Sequence, residues 1–325
     1  MTERVAIILA AGDSSRMKTK WPKVLHEICG QPLVSYIFDV CRQVGVEKIF
    51  AVVGYGKEHV IERYKDCDDI VFVEQNEQRG TGHAVLCCKE HLADFNGGAL
   101  ILHGDVPLIL PETLKTIINK HQQESAAATL GTAVLEDPSG YGRVIRDSQG
   151  NIQAIIEEVD CTEEQLKIKE MNPAFYYFNT QLLLEMLEKI TPDNAKNEYY
   201  LPDALRLAIA TGHKVAAVTA VTEEEALGVN DRQQFSVVGK LMQRRIQQKL
   251  MDSGVTIVDP DNTWIDARAK VGQDTVIEPF TYVHGQVRIG KGCRVGPFAY
   301  LSDGMVIKDG SDAGPGTGVS RENVD

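Results

Sequence analysis

The chain has 325 residues, 43% of them hydrophobic and 25% charged, with a formal net charge of −12. That length allows two domains, and the acidic balance excludes a broad nucleic-acid footprint, which needs a basic face. No run approaches the roughly 18 apolar residues of a membrane-spanning helix, and the start MTERVAIILAAG holds too short an apolar core for a secretion signal. The expectation is therefore a cytoplasmic protein with no membrane partner. Its cysteines, Cys29, Cys41, Cys67, Cys87, Cys88, Cys161 and Cys293, contain no CxxC pair, which predicts reduced thiols rather than a disulfide framework or a structural zinc site.

Apolar strand-like runs at 5–9, 48–53, 70–75, 99–105 and 127–135 alternate with helical patterns at 32–44, 81–92 and 111–123. That alternation predicts a parallel sheet with helices on both faces, whose ligands sit outside the carboxyl ends of the strands. From 141 to about 178 the pattern changes to short extended pieces around turns, with a hairpin through 147–151, and reads as an insertion covering a cleft. Helices at 180–190 and 202–210 and a strand at 214–220 follow. This first domain is expected to span 1–230, with a connecting helix over 231–254.

Beyond it Ile265, Val271, Ile277, Val283, Ile289, Val295, Leu301 and Ile307 recur at intervals of six residues. A six-residue period is the signature of a left-handed parallel β-helix, expected over 255–309 with fewer than three coils. So short a stack leaves core exposed, which argues for a homo-oligomer. The tail, 310–325, is expected to lack structure.

The stretch LAAGDSSRMKTKWPK (9–23) gathers four cations behind the first strand of an acidic chain. Phosphate loops work through backbone N–H groups and nearby cations, with glycine where the main chain approaches closely. Neither GxxxxGK[ST] nor GxGxxG is present, so two common nucleotide folds are disfavoured. Ala10 and Ala11 are small enough for a nucleotide to lie on the backbone, and Arg16 and Lys23 can neutralise phosphate oxygens. Lys18 and Lys20 read as general steering charge.

The pattern LAAG, three residues, Arg-Met, four residues, Pro-Lys resembles the signature of sugar-nucleotide pyrophosphorylases. With EQNEQRGTGHA (74–84), the chain is similar to the bacterial N-acetylglucosamine-1-phosphate uridylyltransferases of the GlmU type. The resemblance implies a Rossmann-like, GT-A-like α/β nucleotidyltransferase domain followed by the short β-helix. It also implies Mg²⁺ as cofactor, UTP and a sugar 1-phosphate as substrates, and a trimer. Leu9, Ala10, Ala11, Gly12, Gln75, Gly80, Thr81 and Gly104 would bind the nucleotide, with Gln75 reading the pyrimidine edge through its amide. Asp105 of HGDVPL and Asn230 of ALGVNDRQQF would hold the metal; Arg16, Lys23 and Asp105 would be catalytic.

On the sugar side the resemblance points to His103, Gly142, Glu157, Asn172 and Tyr200, with Glu158 left solvated. Here the chain departs from the family: His103 replaces an aromatic residue, Pro173-Ala174 replaces Thr-Gly, and Pro202 replaces a threonine. A sugar 1-phosphate, largely dianionic at neutral pH, is its own nucleophile, so no side-chain base is needed. His284, the one histidine beyond His213, does not occupy the place of the family's acetyltransferase histidine, and no acetyl transfer is expected. The alternatives are a pyrophosphorylase for another sugar or for dTTP, a non-catalytic nucleotide-binding scaffold, and a hexapeptide acyltransferase.

Overall fold

The computed structural model describes residues 3–317 and divides into two compact units, one holding 33–231 with the N-terminal residues up to 26, the other 232–317 with 27–32. In chain order the elements are β1 (Arg4–Ala10), the hairpin β2 (Glu27–Ile28) and β3 (Gln31–Pro32), α1 (Leu33–Gln43), β4 (Lys48–Val53), α2 (Lys57–Tyr64) and β5 (Ile70–Glu74). Next come α3 (Thr81–Leu86), α4 (Lys89–Leu92), β6 (Gly98–His103), α5 (Pro111–Glu124), β7 (Ala128–Val134), β8 (Gly142–Arg146) and β9 (Ile152–Ile156). The series continues with α6 (Glu163–Leu166), β10 (Glu170–Asn179), α7 (Thr180–Leu187), α8 (Leu201–Ala210), β11 (Val215–Thr219) and α9 (Arg232–Asp252).

In the first unit one sheet runs in the order β11-β7-β10-β6-β1-β4-β5, with the β8–β9 hairpin attached to β10. Successive side chains of a strand point to opposite faces. Accordingly Ala6 and Ile8 of β1 pack with Val34, Ile37, Leu114 and Ile117 of α1 and α5, whereas Val5 and Ile7 pack with Leu183, Leu184, Ala204 and Leu205 of α7 and α8. The sheet is thereby buried on both faces.

The expected parallel sheet is in fact mixed. β1 is parallel to β4 and β6, β4 to β5, and β7 to β11, but β10 lies antiparallel between β6 and β7. Residues 170–178 are therefore not part of a cleft cover. Phe175, Tyr176, Tyr177 and Phe178 are all buried, the continuous apolar run of a strand covered on both sides.

Two smaller differences are local: α3 and α4 split the single helix expected at 81–92, and α2 was not anticipated. The hairpin at 147–151 is present, joining antiparallel β8 and β9.

In the second unit the six-residue period forms a β-helix with three parallel faces. One face stacks Thr256–Ile257, Val276–Ile277, Arg294–Val295 and Asp312–Ala313. The others stack Trp264–Ile265, Tyr282–Val283 and Tyr300–Leu301, and Lys270–Val271, Arg288–Ile289 and Val306–Ile307. Ile265, Ile277, Val283, Ile289, Val295 and Leu301 are buried, and Val271 and Ile307 partly so.

The strand at Asp312–Ala313 pairs with Arg294–Val295. The coil thus passes the expected limit of 309 and completes three turns rather than fewer, part of the expected tail being strand; residues 318–325 lie outside the described residues. The β2–β3 hairpin also belongs to this unit, its Cys29 carbonyl accepting from Ala267 N at 2.9 Å. Among the described residues no helix is long and apolar enough to cross a membrane.

Candidate active site

The parallel strands β1, β4, β5 and β6 end together: Ala10 is in register with Val53, Val53 with Glu74, and Leu9 with His103. The segment after β1 opens at this edge. Ala10 and Ala11 are buried, and a Cβ built on Gly12 would meet no protein atom within 4 Å. Gly12 is exposed, so the space over it is open to solvent. Ser14, buried, accepts from Lys23 N at 2.8 Å, which ties the two cationic ends of the loop together. Lys18 and Lys20 stay exposed.

Four polar side chains distant in sequence meet at this edge. Lys23 Nζ donates to Asp105 Oδ2 and, at 3.1 Å, to Asn230 Oδ1; Arg16 donates to the same Asn230 oxygen at 2.9 Å. Val229 N donates to the Asp105 carbonyl at 2.9 Å, holding the Asn230 segment in place. The side chains of Lys23 and Asp105 are only 12% and 16% exposed. Burial pulls the Asp105 pKa up, but the Lys23 ammonium, with lesser contributions from His103 and from hydrogen bonds, outweighs burial and leaves it below the usual carboxylate value. His103, ending β6, has its pKa lowered by burial first, so its ring is neutral at neutral pH. A cation therefore already stands on both oxygens expected to hold a metal.

At the other end of the crevice Gln75, buried, follows β5. Gly80 has φ +103 and a Cβ there would come within 2.6 Å of the Tyr199 carbonyl, so glycine is required where the chain turns into α3. Thr81 Oγ1 accepts from Leu201 N at 3.0 Å. Gly104 is held against Val24, Leu9 and Ala10, so protein packing already accounts for its lack of a side chain.

The remaining expected positions lie on β8, β9, β10 and α8. A Cβ on Gly142 would sit 3.5 Å from Glu157 Oε1, and burial, reinforced by Asp160, Asp203 and Glu198, raises the Glu157 pKa. The Tyr200 hydroxyl is buried and has no hydrogen-bond partner in the structure, as expected of a group that meets a ligand. Burial and nearby carboxylates, Glu157 among them, push its pKa up to about 12. Asn172 is largely committed to the protein: it donates to the Tyr176 hydroxyl at 2.7 Å and accepts from Ala174 N at 2.9 Å. Glu158, expected to be solvated, is 34% exposed but also engaged by the protein: it accepts from Gly140 N at 2.8 Å and pairs with buried Arg143 at 3.3 Å.

Residues 6–196 match the family model described as the MobA-like NTP transferase domain. The chain belongs to that family. In this NTP transferase the four converging side chains lie beside the ends of β1 and β6. Residues 268–303 match the bacterial transferase hexapeptide (six repeats).

Relatives of this NTP transferase named "Bifunctional protein GlmU" include those of Listeria innocua, 45% identical over 279 residues, Caldanaerobacter subterraneus, 44% over 281, and a Geobacillus species, 42% over 281. Each alignment covers 86% of this chain and 61% of the relative, so the chain spans about six-tenths of the length of the curated relatives it matches.

Sequence reasoning missed four residues that shape this NTP transferase site. Gln78 donates to the Ala11 carbonyl at 2.9 Å, Ser14 braces Lys23, Tyr141 donates to the Ala226 carbonyl at 3.0 Å, and Arg143 carries the Glu158 pair. Gln78 and Ser14 lie inside the two quoted motifs, and their hydrogen-bonding chemistry was the available signal.

Among the described residues no cluster of three or more His, Cys, Asp or Glu could hold a metal unaided. One carboxylate and one amide oxygen fit a hard divalent ion that takes its other ligands from phosphates and water.

Proposed function

We propose that the protein is a uridylyltransferase, making UDP-N-acetylglucosamine and pyrophosphate from UTP and N-acetylglucosamine 1-phosphate. The observation that carries this reading is the convergence of Arg16, Lys23, Asp105 and Asn230 beside the open space over Gly12. The choice of substrates rests on the motif resemblance to the GlmU type, with which the relatives' name agrees.

Asp105 and Asn230 would hold Mg²⁺, which supplies charge neutralisation on the triphosphate when bound. Backbone amides after Gly12 face the triphosphate, and Arg16 and Lys23 stabilise the negative charge that develops on it, an electrostatic contribution of the kind that dominates phosphoryl transfer. Gln75 reads the base, while Glu157 and Tyr200 accept and orient the sugar, with His103, Gly142 and Asn172 around them. The sugar phosphate attacks the α-phosphorus in line, and pyrophosphate leaves. Holding the two phosphates in register is the larger part of the catalysis, so no residue is required as a base. The β-helix unit assembles the protein as a trimer.

The test is pyrophosphate release across UTP, dTTP and CTP with a panel of sugar 1-phosphates, with and without Mg²⁺. UTP with N-acetylglucosamine 1-phosphate is expected to be the preferred pair, and activity to vanish on chelation. Preference for another pair would refute the substrate assignment, and UTP binding without turnover would refute the enzyme.

A further inference from the structure

Two hydrogen bonds hold the Gln75 amide. Its Nε2 donates to the Gly80 carbonyl at 3.2 Å and meets His83 Nδ1 at 3.1 Å. A carbonyl can only accept, so the amide nitrogen must be the group facing Gly80. The same nitrogen then faces His83, whose Nδ1 must accept, which places the ring proton on Nε2. Both amide hydrogens are thereby used inside the protein, and Oε1 is the edge left for a base. Burial first, and then the Arg79 charge, lower the His83 pKa against an opposing pull from Glu77, which favours the neutral ring that can accept.

Uracil presents N3–H, a donor, where cytosine presents a bare ring nitrogen, an acceptor. An oxygen facing that position attracts the first and repels the second.

We propose that His83 is the positioning residue that sets base choice, its Nδ1 locking the Gln75 amide with the oxygen outward so that uracil is taken over cytosine. The inference rests on the reading of Gln75 as the group that meets the base. His83 lies on α3, one turn from Gly80, and it lines a cavity of about 270 Å³ with Leu86, Ile190 and Tyr199. A leucine is therefore tolerated there. Without the Nδ1 acceptor nothing opposes rotation of the amide except the Gly80 carbonyl. Asparagine places its Oδ1 about where Nδ1 stands, so His83→Asn keeps an acceptor.

The experiment measures kcat and KM for pyrophosphate release from UTP and from CTP with wild type, His83→Leu and His83→Asn. His83→Leu is expected to lower the ratio of kcat/KM for UTP to that for CTP by about tenfold or more, the worth of one mispaired buried hydrogen bond. The loss should fall mainly on the KM for UTP, and His83→Asn should restore most of the ratio. A folded His83→Leu enzyme whose ratio stays within about twofold of wild type, or an asparagine variant no better than leucine, overturns the inference alone, since one hydrogen bond should exceed that margin. A wild-type enzyme that turns over CTP as readily as UTP overturns the reading of Gln75 and this inference with it.

Discussion

Replacing Lys23 by methionine keeps the apolar stem and removes the one ammonium that touches both Asp105 and Asn230. Two separable losses follow. In the transition state a preorganised cation is gone, and removal of one such contact costs on the order of 10²–10³ in kcat, about 3–4 kcal/mol. In the free protein Asp105, only 16% exposed, becomes a nearly buried carboxylate facing Asn230 without its counter-charge. A fully buried orphan charge costs about 3–5 kcal/mol; partial solvent access brings the expected loss of stability to about 2 kcal/mol. Turnover is followed by pyrophosphate release and stability by urea unfolding. The double variant Lys23→Met/Asp105→Asn separates the effects, because a neutral amide no longer needs the ammonium: it should recover most of the stability and none of the activity. A single variant with kcat within threefold of wild type would remove Lys23 from the chemistry. A double variant no more stable than the single would refute the electrostatic account of the pair.

Tyr200→Phe should leave stability unchanged or raise it by about 1 kcal/mol, since the buried hydroxyl has no partner to lose. It should raise the KM for the sugar 1-phosphate about tenfold, and an unchanged KM would mean the hydroxyl meets no ligand. Ala174 sits at φ +64 in the bulge of β10. Ala174→Gly should therefore stabilise by about 0.5–1 kcal/mol, relief of the left-handed backbone exceeding the added chain entropy, seen as a raised thermal midpoint. His121, edge-on to Tyr177 and bonded to Thr129 Oγ1 at 3.0 Å, has its pKa lowered by burial to about 4. Its neutral form is favoured by folding, so its contribution is complete above the unfolded value near 6.5 and is lost as pH falls toward the folded one. Between pH 7 and pH 5 that loss is about 2 kcal/mol, and His121→Gln should make unfolding free energy correspondingly less sensitive to pH over this interval.

What could be read without coordinates divides by how local the cause is. The apolar runs and the period-3.6 patterns are local, and they located β1, β4, β6, α1, α5 and α9 to within a few residues. The six-residue repeat is local too, and it named the inward positions of the β-helix. β10 escaped for the opposite reason. Its FYYF run is apolar enough for a central strand, but Pro173 and the left-handed Ala174 interrupt it, and only the pairing with β6 and β7, some 40 to 80 residues upstream, shows that the interruption is a bulge rather than an end.

The site follows the same rule. Residue type and motif spacing singled out Arg16, Lys23 and Asp105, yet Asn230, which accepts from both Arg16 and Lys23, lies 214 residues from Arg16 and could be paired with them only through the family resemblance. Gln78 and Arg143 donate to backbone carbonyls and a carboxylate, and Ser14 accepts from the Lys23 amide; folding brings these partners close, and no spacing in the chain encodes those distances. The same limit applies to Gln75. Its amide was legible as a candidate base reader, but which way the amide points is decided by the Gly80 carbonyl and His83, one helical turn away. On the proposal made above for His83, base selectivity would depend on a residue that never needs to touch the nucleotide.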